Sequence, residues 1–160
     1  MIGLDTHVLA RYYVASPDAP SQQQSLLARQ LIESGKPLFV CKSVVLELEW
    51  VLRGYYKSSV AEVVTVLRHL LALPNAELED RVAVAQATQA LADGFDFADA
   101  LHHASYRLCA SMATFDDRRF AREASAQRWK QAFKLLVATV KPSSLPVSSQ
   151  ECAQSGGCCV

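Results

Sequence analysis

Carboxylates stand at four places in this chain where an apolar segment ends or a helix begins. They are Asp5, Glu47, Asp96 with Asp99, and Asp116 with Asp117. Carboxylates at strand ends and helix starts converge on one edge of a parallel α/β sheet. Several carboxylates forced together repel one another unless a hard cation neutralises them. A divalent cation held by carboxylates in a cleft indicates hydrolysis of phosphodiester bonds.

Each of these acids also has an ordinary structural explanation. Asp5 follows the strand-like run Met1–Leu4 and fits the N-cap of the next helix, which is compatible with metal binding. Asp96 and Asp99 are spaced like a capping box, with Asp96 as the N-cap. Asp117 similarly fits a helix cap. The metal hypothesis therefore depends on the acids together and not on any one of them.

Glu47 and Glu49 compete for the second acidic position. The two residues lie about 200° apart around a helix, so only one of them can face a given cleft. Glu47 is nearer the helix N-terminus, where the macrodipole favours a carboxylate. We therefore prefer Glu47. The alternative is that both are solvated glutamates on the helix surface.

Strand-like and helix-like segments alternate along the chain, which predicts an α/β fold with a parallel sheet covered on both faces. The predicted strands are Met1–Leu4, Leu38–Cys41, Ser111–Thr114 and Phe133–Val140. The predicted helices are Thr6–Ala15, Ser21–Ser34, a helix capped by Ser43 that extends to about Tyr55, Val60–Leu73 capped by Ser58 or Ser59, Asp80–Ala92, Asp96–Leu108 and Arg118–Gln127.

Composition restricts the class of protein. The 160 residues are 51% hydrophobic, which predicts one domain with a substantial core. A net charge of zero excludes a strongly basic surface over the whole protein, so any contact with nucleic acid must be local. The five cysteines show neither zinc-ligand spacing nor a CxxC motif, and we expect a cytoplasmic location.

The ends of the chain carry further expectations. We expect no secretory leader, because Met1–Asp5 lacks a basic start. We expect no membrane contact, because no apolar run approaches the roughly 20 residues that span a bilayer. From Lys141 the chain becomes polar and rich in serine, proline and glycine. We therefore predict a nuclease-like domain over residues 1–140 and a disordered C-terminal tail over residues 141–160.

Taken in order, the acidic segments resemble a known family. The segments are Ile2–Leu9 (IGLDTHVL), Val45–Leu52 (VLELEWVL), Asp96–His102 (DFADALH) and Thr114–Asp116 (TFD). Together they are similar to the motifs of the PIN domain, and most of all to those of the VapC toxins of bacterial toxin–antitoxin pairs. The resemblance covers the chain from Met1 to about Phe120.

This resemblance implies a fold, an activity and partners. The fold would be a three-layer α/β/α arrangement with a short, mainly parallel central sheet. The activity would be an endoribonuclease that depends on Mg²⁺ or Mn²⁺, with Asp5, Glu47, Asp99 and Asp116 as catalytic residues and metal ligands. The protein would act on RNA as the toxin of such a pair, form a homodimer and be inhibited by a cognate antitoxin.

Residues around these ligands have predicted supporting roles. Candidates for a second shell around the metal are Asp96, Asp117, Thr6, His7 and Thr114. His7 stands where many members of the family have asparagine. Candidates for RNA contact are Arg11, Arg118, Arg119 and Arg122, for which the alternative is an ordinary solvated basic surface.

The sequence also bears on two rival functions. A phosphatase of the haloacid dehalogenase type needs a second acid two residues after the first, and His7 occupies that place. A PIN-fold binding module with weak or no nuclease activity is the other rival. The presence of all four acids argues against it.

Aromatic residues near the end of the second motif predict a protein contact. Trp50, Tyr55 and Tyr56 are large aromatics of the kind that anchor interfaces. By resemblance, the C-terminal segment of an antitoxin would lie along this surface and direct a basic side chain towards the acids. The alternative is that these rings complete the core of the domain itself.

Overall fold

The computed structural model describes residues 1–15, 18–114 and 132–135 of the chain. Helices and strands alternate within them, as the sequence predicts. In chain order the elements are β1 (Ile2–Gly3), α1 (Thr6–Tyr13), α2 (Ala19–Ile32), β2 (Leu38–Val40), α3 (Lys42–Gly54), α4 (Val60–Ala72), β3 (Ala76–Leu78), α5 (Arg81–Ala92), α6 (Phe97–Ser105), β4 (Ser111–Thr114) and β5 (Ala132–Leu135).

The first three strands form a parallel sheet in the order β1, β2, β3. Ile2 lies opposite Leu38, which in turn lies opposite Ala76 on the third strand. β4 and β5 form a second parallel pair. Because β1, β2 and β3 run in the same direction, the residues that follow them, Asp5 and Glu79 among them, lie at one edge of the sheet.

Helices cover the short sheet and confirm the predicted three-layer α/β/α fold. α1 packs against α2 and α3, and α5 packs against α4 and α6. The largest fully buried side chains are Phe97, Leu9, Ile32, Leu38, Leu48, Leu52, Leu67, Leu70 and Leu91. Burial of each such side chain contributes about 1.5–3 kcal/mol to folding. Among the described helices, none is both long enough and apolar enough to cross a membrane.

The helix α4 shows how local sequence specifies an element. Ser59 Oγ accepts a hydrogen bond from the backbone N–H of Glu62 at 3.3 Å, and Glu62 Oε2 accepts from the backbone N–H of Ser59 at 2.7 Å. These two bonds form the capping box that begins the helix. The buried side chains recur at helical spacing and are Val63, Val64, Leu67 and Leu70. The helix ends at Ala72, next to the predicted Leu73.

The start of α3 differs from the prediction. The helix begins at Lys42 with Cys41 at the N-cap position, so the predicted cap at Ser43 is wrong. The backbone N–H of Lys42 instead donates to Glu79 Oε2 at 2.8 Å. Because a carboxylate from the end of the neighbouring strand satisfies this amide, the helix start needs no capping side chain of its own.

Two further elements differ from the sequence pattern. The pattern does not predict β3, because Ala76–Leu78 contains no β-branched or aromatic residue. Pairing with β2 creates this strand. α2 begins at Ala19 instead of the predicted Ser21, because Asp18 caps it by accepting from the Ser21 N–H at 3.0 Å.

Predictions at the C-terminal side have mixed outcomes. α6 ends at Ser105, before the predicted Leu108. β4 is confirmed over Ser111–Thr114, and β5 overlaps the start of the predicted last strand. Other predictions lie outside the described residues: Asp116, Asp117, Arg118, Arg119, Arg122, the helix Arg118–Gln127 and the tail 141–160.

A cluster of charged side chains stands where β3 ends and α5 begins. Asp80 caps α5 by accepting from the Ala83 N–H at 3.1 Å. Its Oδ2 also accepts from Arg107 Nη1 at 2.6 Å and lies 3.9 Å from Lys42 Nζ. Burial raises the pKa of Asp80, but the Arg107 hydrogen bond, the Ala83 amide and the two cations outweigh it, so the pKa is lowered overall.

Asp80→Asn should reduce the free energy of unfolding at pH 7 by about 1–2 kcal/mol, because asparagine keeps the helix cap but loses the charge-assisted pair. The folded-state pKa lies below the unfolded value of 3.8, so this stabilisation is present above pH 3.8 and is lost as pH falls through the folded-state pKa. Urea unfolding at pH 7 and pH 3 measures the difference. Asp18→Asn, at another helix cap, is the control. An Asp80→Asn deficit of equal size at both pH values would contradict this account.

Candidate active site

Asp5 occupies the N-cap position of α1, just after the first strand. Its side chain makes no capping hydrogen bond, whereas Asp18, Asp80 and Asp96 each cap a helix with their carboxylates. The Asp5 side chain is 67% exposed, and its Oδ2 lies 3.2 Å from His7 Nδ1. The His7 hydrogen bond lowers the pKa of Asp5, against burial and with help from backbone amides at the helix start. Asp5 is therefore an ionised carboxylate that faces solvent.

Thr6 connects the first acid to the second. Thr6 is buried, with 1% of its surface exposed, and its Oγ1 donates to Glu47 Oε2 at 2.6 Å. The bond joins α1 to α3 across 41 positions in the sequence. A threonine has a stiff χ1 and a single proton to donate, so the bond restricts the direction of the Glu47 carboxylate. Glu47 itself is exposed, and it lies beside the residue that follows Asp5.

Glu49 has a different environment from Glu47. It is buried, with 6% of its surface exposed, and its Oε1 accepts from Arg53 Nη1 at 3.1 Å. Burial raises the pKa of Glu49, the Arg53 contact opposes this, and the charge of Asp96 adds to the rise. The alternative that both glutamates are solvated is therefore wrong, because packing encloses Glu49.

The third acidic pair begins α6. Asp96 is the N-cap, and its Oδ1 accepts from the backbone N–H of Asp99 at 3.1 Å. This bond is the first half of the predicted capping box. Asp99 lies in the first turn, where the helix macrodipole favours a carboxylate. Because α6 packs against α3, Asp99 belongs to the helix next to the one that carries Glu47.

The donor atoms of the candidate ligands are all carboxylate oxygens. Mg²⁺ and Mn²⁺ prefer such oxygens, so Asp5, Glu47 and Asp99 fit the chemistry of these cations. Across residues 1–15, 18–114 and 132–135, however, no three His, Cys, Asp or Glu side chains come together as a metal site. Asp116 lies outside these residues. The described structure thus connects the acids through Thr6 and α3 and does not gather them into one group.

The remaining predicted site residues within the described ranges are His7 and Arg11 on α1 and Thr114 on β4. The His7 side chain is 87% exposed and contacts Asp5. Arg11 lies on α1, and its Nε donates to Gln24 Oε1 on α2 at 3.0 Å. Thr114 is the last residue of β4. Of the arginines predicted to contact RNA, Arg11 alone falls within the described residues.

Two charged pairs among the described residues were not predicted from the sequence. The pair of Glu49 and Arg53 had a local signal, since the residues are four apart on one helix. The pair of Asp80 and Arg107 spans 27 positions and had none. Such a pair forms only when the folded chain brings the two segments that carry it together.

The aromatic residues at the end of α3 divide into two groups. Trp50 and Tyr55 are 72% and 78% exposed, and the Tyr55 ring meets the Tyr56 ring edge to face at 4.9 Å between centroids. Tyr56 is partly buried and packs against the core. The alternative in which these rings complete the core is therefore correct for Tyr56 and wrong for Trp50 and Tyr55.

The fold and the site together define a class of protein. It is an α/β domain in which helices cover a parallel sheet, and Thr6, the residue after Asp5, contacts Glu47. The family profile of the PIN domain matches residues 2–125, and the chain belongs to the PIN domain family. PIN domains are in general nucleases. The chain matches no curated protein and no solved structure.

Proposed function

We propose that this chain is a metal-dependent endoribonuclease and the toxin of a toxin–antitoxin pair. The observation that carries the proposal is the hydrogen bond from Thr6 to Glu47, which holds the second acid against the residue that follows the first acid in the chain. Asp5 also supports the proposal, because its exposed carboxylate does not cap α1. Membership of the PIN family supports nuclease activity.

In this proposal Asp5, Glu47, Asp99 and Asp116 hold Mg²⁺ or Mn²⁺. When bound, such a cation supplies an activated water and offsets negative charge on the phosphate. Thr6 keeps one oxygen of Glu47 occupied, so the other oxygen is left for a ligand. His7 orients Asp5 through its Nδ1, in a role outside the ligand set. Supporting roles are also proposed for Asp96, Asp117 and Thr114.

The proposed substrate is single-stranded or looped RNA. Recognition of RNA sequence generally needs unpaired bases. Because the chain has zero net charge, contact with the phosphate backbone of the RNA requires a local basic surface. We propose Arg11, Arg118, Arg119 and Arg122 for that surface. Among them, Arg11 lies on α1, the helix that begins directly after Asp5. Its side chain donates a hydrogen bond to Gln24 on α2.

A cleavage assay tests the proposal directly. An end-labelled RNA of mixed sequence would be incubated with the purified chain and Mn²⁺, and with excess EDTA in parallel. We expect internal cleavage with Mn²⁺ and none with EDTA, because carboxylates alone cannot neutralise the phosphate. RNA that is bound but left intact in Mn²⁺ would favour the rival function, a PIN-fold binding module.

We further propose that a cognate antitoxin binds at the C-terminal end of α3, where Trp50 and Tyr55 are exposed. Both rings are largely exposed; Trp50 lies on α3, the helix that carries Glu47, and Tyr55 follows the last residue of that helix. A basic side chain from the antitoxin would then compete with metal for the carboxylates. A homodimer and a cytoplasmic location belong to the same proposal.

Tyr55→Ala should weaken antitoxin binding by at least about tenfold, because large aromatic anchors dominate interface energies. Titration calorimetry with the cognate antitoxin measures the affinity. Val82→Ala is the control. Val82 is 54% exposed on α5, so this substitution removes apolar surface from a different helix. Unchanged affinity in Tyr55→Ala would remove this surface as the antitoxin site.

A further inference from the structure

Glu79 contacts both ends of the short turn between β2 and α3. Cys41 is the single residue between Val40, the last residue of β2, and Lys42, the first residue of α3. The backbone N–H of Glu79 donates to the carbonyl oxygen of Val40 at 3.0 Å. Glu79 Oε2 accepts from the backbone N–H of Lys42 at 2.8 Å. The residue that follows β3 therefore binds the backbone on either side of the turn.

The carboxylate of Glu79 has a specific task at this helix start. Cys41 occupies the N-cap position, but its side chain makes no capping hydrogen bond. An amide in the first turn of a helix lacks an acceptor within the helix, and the macrodipole favours a carboxylate there. The Lys42 side chain has a separate partner, since its Nζ lies 3.9 Å from Asp80 Oδ2. The bond to Glu79 thus acts on the backbone and fixes where α3 leaves the sheet.

The strand β2 and the helix α3 each contact the chain around Asp5. On β2, the carbonyl oxygen of Phe39 accepts from the backbone N–H of Leu4 at 2.9 Å, and Leu4 directly precedes Asp5. On α3, Glu47 Oε2 accepts from Thr6 Oγ1 at 2.6 Å, and Thr6 directly follows Asp5. The position of Glu47 relative to Asp5 therefore depends on how α3 continues from β2.

We propose that Glu79 is a positioning residue: by binding both sides of the turn between β2 and α3, it fixes the start of α3 and keeps Glu47 in reach of Thr6. The consequence for metal binding rests on the proposed function, because it requires Glu47 to be a ligand. The consequences for the start of α3 and for the bond from Thr6 do not.

Amide hydrogen exchange followed by NMR tests the start of α3. Glu79→Ala should speed exchange of the Lys42 amide by at least about tenfold, because that amide loses its acceptor. Exchange at the start of α4, which Ser59 caps, should not change. Glu79→Gln keeps an oxygen acceptor of the same reach and should restore most of the protection. Glu77→Ala makes the same change at an exposed position on β3 and is the matched control.

A double-mutant cycle in urea tests whether the effect of Glu79 reaches Glu47. Thr6→Val removes the hydroxyl that donates to Glu47. The factor by which Thr6→Val lowers the folding equilibrium constant should be at least about threefold smaller in the Glu79→Ala background, because a displaced α3 already weakens that bond. The same cycle with Glu77→Ala should be additive. Additivity with Glu79→Ala, or exchange of the Lys42 amide as slow as in the wild type, would overturn the proposal.

Mn²⁺ affinity measured by calorimetry reports on the position of the ligand itself. We expect about tenfold weaker binding in Glu79→Ala, as for other residues that support a metal ligand, with recovery in Glu79→Gln and no change in Glu77→Ala. Wild-type affinity in Glu79→Ala would contradict the role in metal binding. If the wild-type chain bound no Mn²⁺, the proposed function would fail, while the exchange rate of Lys42 and the cycle with Thr6 would still decide the role of Glu79.

Discussion

Asp5→Asn is expected to reduce Mn²⁺-dependent RNA cleavage by more than about 100-fold, beyond the 10–100-fold typical of residues that only support a metal ligand. The substitution removes the charge but changes little volume, and Asp5 does not cap α1 through its side chain. The fold should therefore be unaffected. Initial cleavage rates at saturating Mn²⁺, together with thermal unfolding of both proteins, measure the two effects separately.

Asp18→Asn is the matched control for this experiment. It makes the same chemical change at the N-cap of α2, where asparagine still caps well. Glu47→Gln should behave like Asp5→Asn, because Thr6 holds its carboxylate at the same edge. Full activity in Asp5→Asn, or an equal loss in Asp18→Asn, would show that the ligand assignment is wrong.

Leu48→Ala is expected to lower the free energy of unfolding by about 2–5 kcal/mol. The Leu48 side chain is fully buried, and it lies between Glu47 and Glu49 on α3. Truncation of this side chain leaves a cavity beneath α3, which packs against both α1 and α6. The surrounding side chains relax only in part. Equilibrium unfolding in urea, with the slope compared between variants, measures the loss.

Leu27→Ala makes the same substitution where the side chain is 58% exposed on α2. Its effect should remain within about 0.5 kcal/mol, because no cavity forms at an exposed position. The comparison therefore isolates burial from the chemistry of the substitution. A loss below about 1 kcal/mol in Leu48→Ala would mean that α3 is not anchored by this residue.

Elements with local signals were predictable from the sequence. The cap at Ser59 and its partner Glu62 lie three residues apart, and the apolar face of α4 repeats within single turns. Asp96 and Asp99 are similarly close in sequence, and the first bond of their predicted box is present. Interactions of this range are specified by residues that are near one another in every conformation of the chain.

Elements that depend on partners were not predictable in this way. Ala76–Leu78 has no strong strand preference and becomes a strand by pairing with β2. Lys42 begins α3 because Glu79, 37 positions away, accepts from its backbone N–H. Neither feature has a signal within a few residues, since each depends on which elements lie side by side.

The candidate site shows the same division. The types and order of Asp5, Glu47 and Asp99 could be recognised in the sequence, and helical spacing predicted that Glu47 and Glu49 face different surroundings, as they do. The sequence could not show that Thr6 donates to Glu47, or that packing encloses Glu49 with Arg53. Helical spacing separates the two glutamates, but the neighbouring helices decide which of them is buried.

Sequence alone was therefore enough to predict the α/β class, the caps at Ser59 and Asp96 and the types of the candidate ligands, because these depend on residue type and on spacing within a turn. Tertiary structure decided which charges meet. The pairing of Arg107 with Asp80 arises only where segments 27 positions apart in the chain meet, since the strength of a charge interaction depends on distance and burial in the folded chain.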